Sequence, residues 1–184
     1  MTTYDKSELI ELIKQHALQF GDFTLASGKK ASFYLDCRKL TLHPKGANQI
    51  GAGMLELLGS ETPDAVGGLA IGADPISAAT ITLAGQRDTD LLGFIVRKEV
   101  KQHGTGRQVE GPVESGMTAV IVEDVVTSGG SALKAVEAVR EFGLKVDKIQ
   151  AVVDRLEGGR EAIEAAGLQL ETLTTIEDLG IQRS

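Results

Sequence analysis

The chain has 184 residues, 42% of them hydrophobic, and a formal net charge of −7. That length supports one sizeable core and is short for two, so a single domain over 1–184 is expected. The acidic balance argues against a broad electrostatic footprint for nucleic acid or an anionic membrane, and no apolar run approaches the roughly 18–20 residues that span a bilayer.

The opening stretch MTTYDKSELIELIKQH carries charges where a signal peptide would need an apolar core. With one cysteine, Cys37, and no cysteine or histidine cluster at zinc spacing, the expected compartment is the reducing cytoplasm. Residues 7–20 place apolar side chains at Leu9, Ile10, Leu12, Ile13, Ala17 and Leu18, which predicts an amphipathic helix capped by Ser7 and stopped by Gly21. Residues 22–37 read as two short strands around Ser27 to Lys30, because Phe33, Leu35 and Cys37 alternate with polar or smaller neighbours. These first 40 or so residues would form a small hood. A helix is expected from Pro44 to about Leu58, then a buried strand that runs into the glycine-rich turn AIGADP, 70–75, then a helix over 75–86.

LLGFIV, 91–96, and TAVIVE, 118–123, are apolar, β-branched runs of the kind buried on both faces of a sheet. A helix over 131–142 ends at Gly143, a strand follows over 148–154, then a short helix over 159–167 and a last strand over 168–176. Strands alternating with helices predict an α/β fold: an open, mostly parallel twisted sheet with helices on both faces.

Two segments carry chemistry. In VIVEDVVTSGGSA, 120–132, a strand delivers two adjacent acids, Glu123 and Asp124, to a turn of small residues that precedes a helix. Such a turn aims backbone N–H groups and the hydroxyls of Thr127, Ser128 and Ser131 at one point before a helix N-terminus, as a phosphate monoester requires. It is neither a Walker A loop nor a dinucleotide fingerprint. Two carboxylates would repel that phosphate, so their partners are sugar hydroxyls or a metal ion. The bland alternative is a helix cap beside a surface acid pair.

The second segment, VRKEVKQHGTGR, 96–107, gathers Arg97, Lys98, Lys101, His103 and Arg107 against a single acid, Glu99. A solvated loop explains such a run, and so does a closing lid over a polyanion, for which Gly104 and Gly106 supply mobility. A phosphate cradle, a diol-binding acid pair and a basic lid together suit phosphoribosyl pyrophosphate.

VIVEDVVTSGGS resembles the phosphoribosyl pyrophosphate signature of the type I phosphoribosyltransferases. RKEVKQHGTG, 97–106, is similar to the catalytic loop of the orotate phosphoribosyltransferases, DRLEGG, 154–159, to their pyrimidine-holding segment, and FTLASGKKASFYLD to their hood. The resemblance implies the type I phosphoribosyltransferase fold and transfer of phosphoribosyl to orotate, giving orotidine 5′-monophosphate and pyrophosphate, with Mg2+ held through substrate and water rather than by direct side-chain ligation. It implies catalytic roles for Lys101, Asp124 and His103. Phosphoribosyl pyrophosphate would be bound by Arg97, Lys98, Lys101 and His103, and by Glu123, Asp124, Val125, Val126, Thr127, Ser128, Gly129, Gly130 and Ser131. Orotate would meet Thr127 and Arg155, the latter a planar cation suited to a planar anion. Phe33 and Tyr34 read as core residues and stay outside that set. It further implies a homodimer whose lid reaches the neighbouring site. Two cations of many relatives are replaced, by Ala26 in the hood and by Gly72 in the 70–75 turn, where Asp74 either acts on Mg2+ through water or only shapes the turn. A transferase for another base, or a regulator that senses phosphoribosyl pyrophosphate, are the alternatives.

Overall fold

The computed structural model describes residues 3–24, 30–60, 62–99 and 108–182. Along the chain it forms α1 (Lys6–Leu12), a π-helical turn (Ile13–Ala17), β1 (Leu18–Thr24), β2 (Lys30–Leu35), α2 (Arg38–Thr41) and α3 (Pro44–Leu58). There follow β3 (Ala65–Leu69), α4 (Ala73–Gly85), β4 (Leu92–Val96), β5 (Val109–Glu110) and β6 (Thr118–Val126). The last elements are α5 (Gly130–Phe142), β7 (Lys145–Asp154), α6 (Gly159–Ala165) and β8 (Gln169–Thr175).

Six strands make the main sheet in the order β5-β4-β3-β6-β7-β8. All its pairings are parallel except β4 with β5. β6 is buried on both faces: Val120 and Val122 join one apolar cluster with Ile50, Met54 and Ile76, while Ala119 and Ile121 join another with Val136, Val139 and Ile163. Each such buried aliphatic side chain contributes about 1.5–3 kcal/mol over exposure. From β3 the chain steps outward to β4, then returns to the other side of β3 as β6. The strand order therefore reverses between β3 and β6, and a crevice opens at their carboxyl ends, where open α/β sheets take ligands.

The expected helix over 7–20 is shorter than its periodicity suggested. Its helical part ends at Ala17, and Leu18 begins a strand that pairs antiparallel with β2, Leu18 against Leu35 and Phe20 against Phe33. The Asp36 N–H donating to the Ala17 carbonyl at 2.9 Å closes this junction. Pairing with β2 outweighs the helical pattern while Leu18 still packs against the core, and Phe20 is left 71% exposed. The two strands around residues 27–30 become this β1–β2 hairpin, which forms its own two-stranded sheet as the hood.

Asp5, not Ser7, caps α1. Its Oδ1 accepts the N–H groups of Ser7 at 2.8 Å and Glu8 at 3.2 Å. The Asp5 N–H in turn donates to Oε1 of Gln49 on α3 at 2.9 Å, and Gln49 Nε2 donates to Glu8 at 2.6 Å. One cap thus joins α1 to α3. Replacing Asp5 by Ala is expected to cost about 1 kcal/mol and lower the midpoint of thermal unfolding by about 2–4 °C. Because the cap is remote from the crevice, ligand affinity measured on the same variant should not change.

Candidate active site

The crevice at the β3/β6 switch is a cleft of about 400 Å³. Its floor is the end of β6, its walls the 69–72 turn after β3 and the hood residues from Tyr34 to Arg38, and Arg155 and Lys98 border it. The structure thereby brings Lys98 and Arg155, distant in the sequence, to Glu123, Asp124, Val125, Thr127 and Ser131 of the 123–131 stretch.

β6 runs on past Glu123 to Val126, so the acid pair sits within the strand rather than after it. Neighbouring strand residues point to opposite sides, which gives the two acids different surroundings. Glu123 is 6% exposed, and its Oε2 finds no hydrogen-bond partner among the described residues. Burial, followed by the adjacent Asp124, pushes its carboxyl pKa up to about 8. Asp124 is partly open to the cleft, and its Oδ1 accepts the Val125 N–H at 2.8 Å. A side chain on Gly72 would begin 3.1 Å from that same Oδ1. Glycine at 72 therefore lets the turn close against the carboxylate.

Beyond β6, Val125 to Ala132 enclose a small hollow of about 40 Å³, the size of one compact group. α5 starts there with no side-chain cap and no acid in its first turn, so its first N–H groups are directed at the hollow. Ser131 lines both the hollow and the cleft. Val126, Ser128, Gly129 and Gly130 line the hollow, and Thr127 also faces both.

The turn after β7 packs directly on this loop. A methyl group on Gly159 would lie 2.5 Å from the Thr127 carbonyl oxygen and from the Val126 side chain. The Arg155 N–H donates to the Val126 carbonyl at 2.9 Å. Arg155 is thereby fixed beside the cleft, its guanidinium 4.7 Å above the Phe33 ring and its Nη2 paired with Glu157 at 2.7 Å. Its Nε is buried with no partner among the described residues. Phe33, read from the sequence as core, carries this cation at the cleft border. Asp154, wholly buried behind it, accepts the Leu156 N–H at 2.8 Å and lies 3.3 Å from Arg160 Nη2.

The basic segment is described only at its base. Arg97 N–H donates to the Gln108 carbonyl at 2.9 Å, Gln108 Nε2 donates to the Arg97 carbonyl at 3.0 Å, and Arg97 Nε pairs with Glu110. The Arg97 guanidinium is thus directed at β5. Lys101, His103 and Arg107 lie outside the described residues, as does Ala26. Asp74 stands in the first turn of α4, where burial raises its pKa and leaves Oδ1 without a partner among the described residues. Two charged cleft residues escaped the sequence reading, Asp36 and Arg38, because nothing local distinguishes an Asp-Cys-Arg following a strand, and Tyr34, read as core, also lines the cleft and is 38% exposed.

Two consequences are measurable. The folded pKa of Glu123 lies above its ordinary value near 4.5, so the folded state binds the extra proton and stability falls as pH rises from about 4.5 to about 8. Glu123→Gln should flatten that slope when denaturant unfolding is compared at pH 5.5 and 8.5; an unchanged slope would assign it to other groups. Gly159→Ala should cost about 1–3 kcal/mol by overpacking and weaken ribose 5-phosphate binding in calorimetry, whereas full affinity would show the two turns to be independent.

Comparison with known proteins fits this geometry. The family model of the phosphoribosyl transferase domain matches residues 39–169. The orotate phosphoribosyltransferase of Rhodopirellula baltica is 60% identical over 184 residues, covering 97% of this chain and 95% of that protein. Among solved structures, Mycobacterium tuberculosis orotate phosphoribosyltransferase in complex with Fe(III) dicitrate superposes with a TM-score of 0.86 at 40% identity, covering 96% of this chain and 99% of that one. The same enzyme in complex with 5-phospho-alpha-D-ribosyl 1-diphosphate gives 0.81 at 36% identity with the same coverage. An acid pair beside a phosphate-sized hollow, on a sheet shared with these proteins along nearly the whole chain, leaves one conclusion: the chain belongs to the phosphoribosyl transferase family, among the orotate phosphoribosyltransferases.

Proposed function

We infer that the protein transfers phosphoribosyl from 5-phospho-α-D-ribose 1-diphosphate to N1 of orotate, giving orotidine 5′-monophosphate and pyrophosphate. The observation that carries this reading is the convergence of an acid pair, a phosphate-sized hollow and a guanidinium with an unpartnered donor on one cleft. The bond from C1′ to the diphosphate breaks as the bond from C1′ to N1 forms. Positive charge grows on the ribose ring and negative charge on the leaving group, so the site must stabilise both ends and exclude water.

Each residue then has a task. Asp124 and Glu123 hold the 2′- and 3′-hydroxyls and face the cationic ring. The turn from Thr127 to Ser131 takes the 5′-phosphate. Arg155, stacked on Phe33, offers its free Nε–H to the orotate carboxylate, the group uracil lacks. Thr127 lies beside both substrates. Lys101 and His103, with Lys98, supply cations to the leaving diphosphate, and removing one such donor costs about 3–4 kcal/mol if it acts in the transition state.

Mg2+ fits the same cleft. Its oxygens are the hard ligands such an ion prefers, yet no group of three or more metal-ligating side chains converges among the described residues. When bound, such an ion would neutralise diphosphate charge, with Asp124 and Glu123 fixing the ribose beside it. We place the enzyme in the cytoplasm, in keeping with its single, buried, unpaired cysteine. No described helix is long and apolar enough to cross a membrane.

The acting unit is proposed to be a homodimer in which the basic segment beyond Lys98 completes the neighbour's site. Mixing Asp124→Asn and Lys101→Ala proteins should then restore activity in some heterodimers; mixtures no better than either parent would argue against shared sites. For the reaction itself, the protein would be incubated with the phosphoribosyl donor and Mg2+ and offered orotate, uracil, hypoxanthine and adenine separately. Product is expected from orotate alone, and Arg155→Ala should raise the KM for orotate by about tenfold or more with a far smaller effect on the donor. Product from another base would overturn the assignment of Arg155.

A further inference from the structure

Arg38 is the first residue of α2 and stands in the cleft wall opposite the 69–72 turn. Its Nε donates to Asp36 Oδ1 at 2.8 Å and its Nη2 to Asp36 Oδ2 at 3.3 Å, a two-pronged grip that holds the guanidinium plane in one orientation. Half of the Arg38 side chain remains exposed, so this pair is easily exchanged. Across the cleft, the Asp124 carboxylate is close enough to stabilise the Arg38 charge.

The opposite wall is bare of cations. Gly72 has no side chain, and the residues of the turn before it, Leu69 to Ile71, are apolar. Among the described lining residues the acids Asp36, Glu123 and Asp124 face the cations Arg38, Lys98 and Arg155. Arg155 is the more enclosed, its side chain 11% exposed against 50% for Arg38, stacked on Phe33 and paired with Glu157. A diphosphate entering the cleft therefore meets two available side-chain cations among the described residues, and of these Arg38 alone offers the planar fork that matches phosphate oxygens.

We propose that Arg38 is a diphosphate-binding residue of the transfer site: its guanidinium leaves the Asp36 carboxylate for the diphosphate oxygens of the sugar substrate, and Asp36 keeps it oriented at the cleft mouth until then. This rests on the phosphoribosyl transfer reading and adds to it a cation from the hood side of the same protomer. The exchange conserves charge, since one charge-assisted pair is given up for another, and it requires no movement of the sheet.

The test compares Arg38→Ala, Arg38→Gln and Arg38→Lys with the wild-type protein. Steady-state kinetics would give KM for each substrate, and inorganic pyrophosphate titrated by calorimetry would report diphosphate binding directly. Arg38→Ala and Arg38→Gln should weaken pyrophosphate and raise the KM for the phosphoribosyl donor by about tenfold or more, while the KM for orotate stays within about twofold. Arg38→Lys should recover part of the loss, because it returns the charge without the fork. Unchanged pyrophosphate affinity in the Gln variant would overturn the proposal, and so would a loss confined to orotate, which would assign Arg38 to the base. If Arg38→Ala fails to fold, the Gln and Lys pair decides alone. Failure of the wild-type protein to use orotate would sink the base assignment, while pyrophosphate binding to the same variants would still read Arg38.

Discussion

The site depends on holding a carboxyl group almost out of water at the floor of the cleft. Glu123 is held in the sheet by β6, whose pairings with β3 and β7 and two apolar faces leave the side chain only 6% exposed. A buried acid with an unsatisfied oxygen opposes folding, and a neighbouring acid adds to that cost. Packing of Val120, Ile121 and Val122 offsets it. The resting site thus carries a polar group without a partner among the described residues, which a ligand hydroxyl, able both to donate and to accept, would satisfy.

Rigid contacts transmit this arrangement outward. Gly72 closes against Asp124 on one side, and Gly159 closes against the 127–129 loop on the other. Neither position has the left-handed backbone that usually demands glycine; what each requires is space. The two turns carry different parts of the site, one facing the acid pair and the other bearing Arg155. Their direct contact with β6 and its loop means that the acid pair, the hollow and Arg155 are positioned against a common reference rather than by three independent loops.

Much of this was legible in the sequence, for identifiable reasons. The β-branched runs at 91–96 and 118–123 declared buried strands because strands covered on both faces need no polar alternation, and the glycine stops at 59 and 143 fell where helices end. The acid pair and the loop after it were readable because their chemistry is local. What failed was what depended on distant partners. Leu18 to Phe20 continue a helical pattern and yet join a hairpin, since Leu35 and Phe33 compete for them. The two-residue β5 is defined only by its pairing with Ile95 and Val96. Arg97 reads as one cation of a basic run, but its guanidinium is paired with Glu110, thirteen residues on. Arg38 had no motif at all; only the fold sets it across from Asp124.

These arginines share one feature. Arg38 is paired with Asp36, Arg155 with Glu157 and Arg97 with Glu110, so each of these three arginines is held by a carboxylate close to it in the chain or across a short pairing. In a chain of net charge −7, unpaired guanidinium groups would be drawn to whichever acid lay nearest, and Asp124 lies in the same cleft. Collapse of an arginine onto the acid pair would block the ribose. Local carboxylates prevent that collapse, and because such partly exposed pairs are worth only about 0–1 kcal/mol, a polyanionic substrate can displace them at little cost. The acidity of the protein and the affinity of its site for anions are therefore compatible: the acids near the cleft hold the cations in place and release them to a ligand that offers more charge.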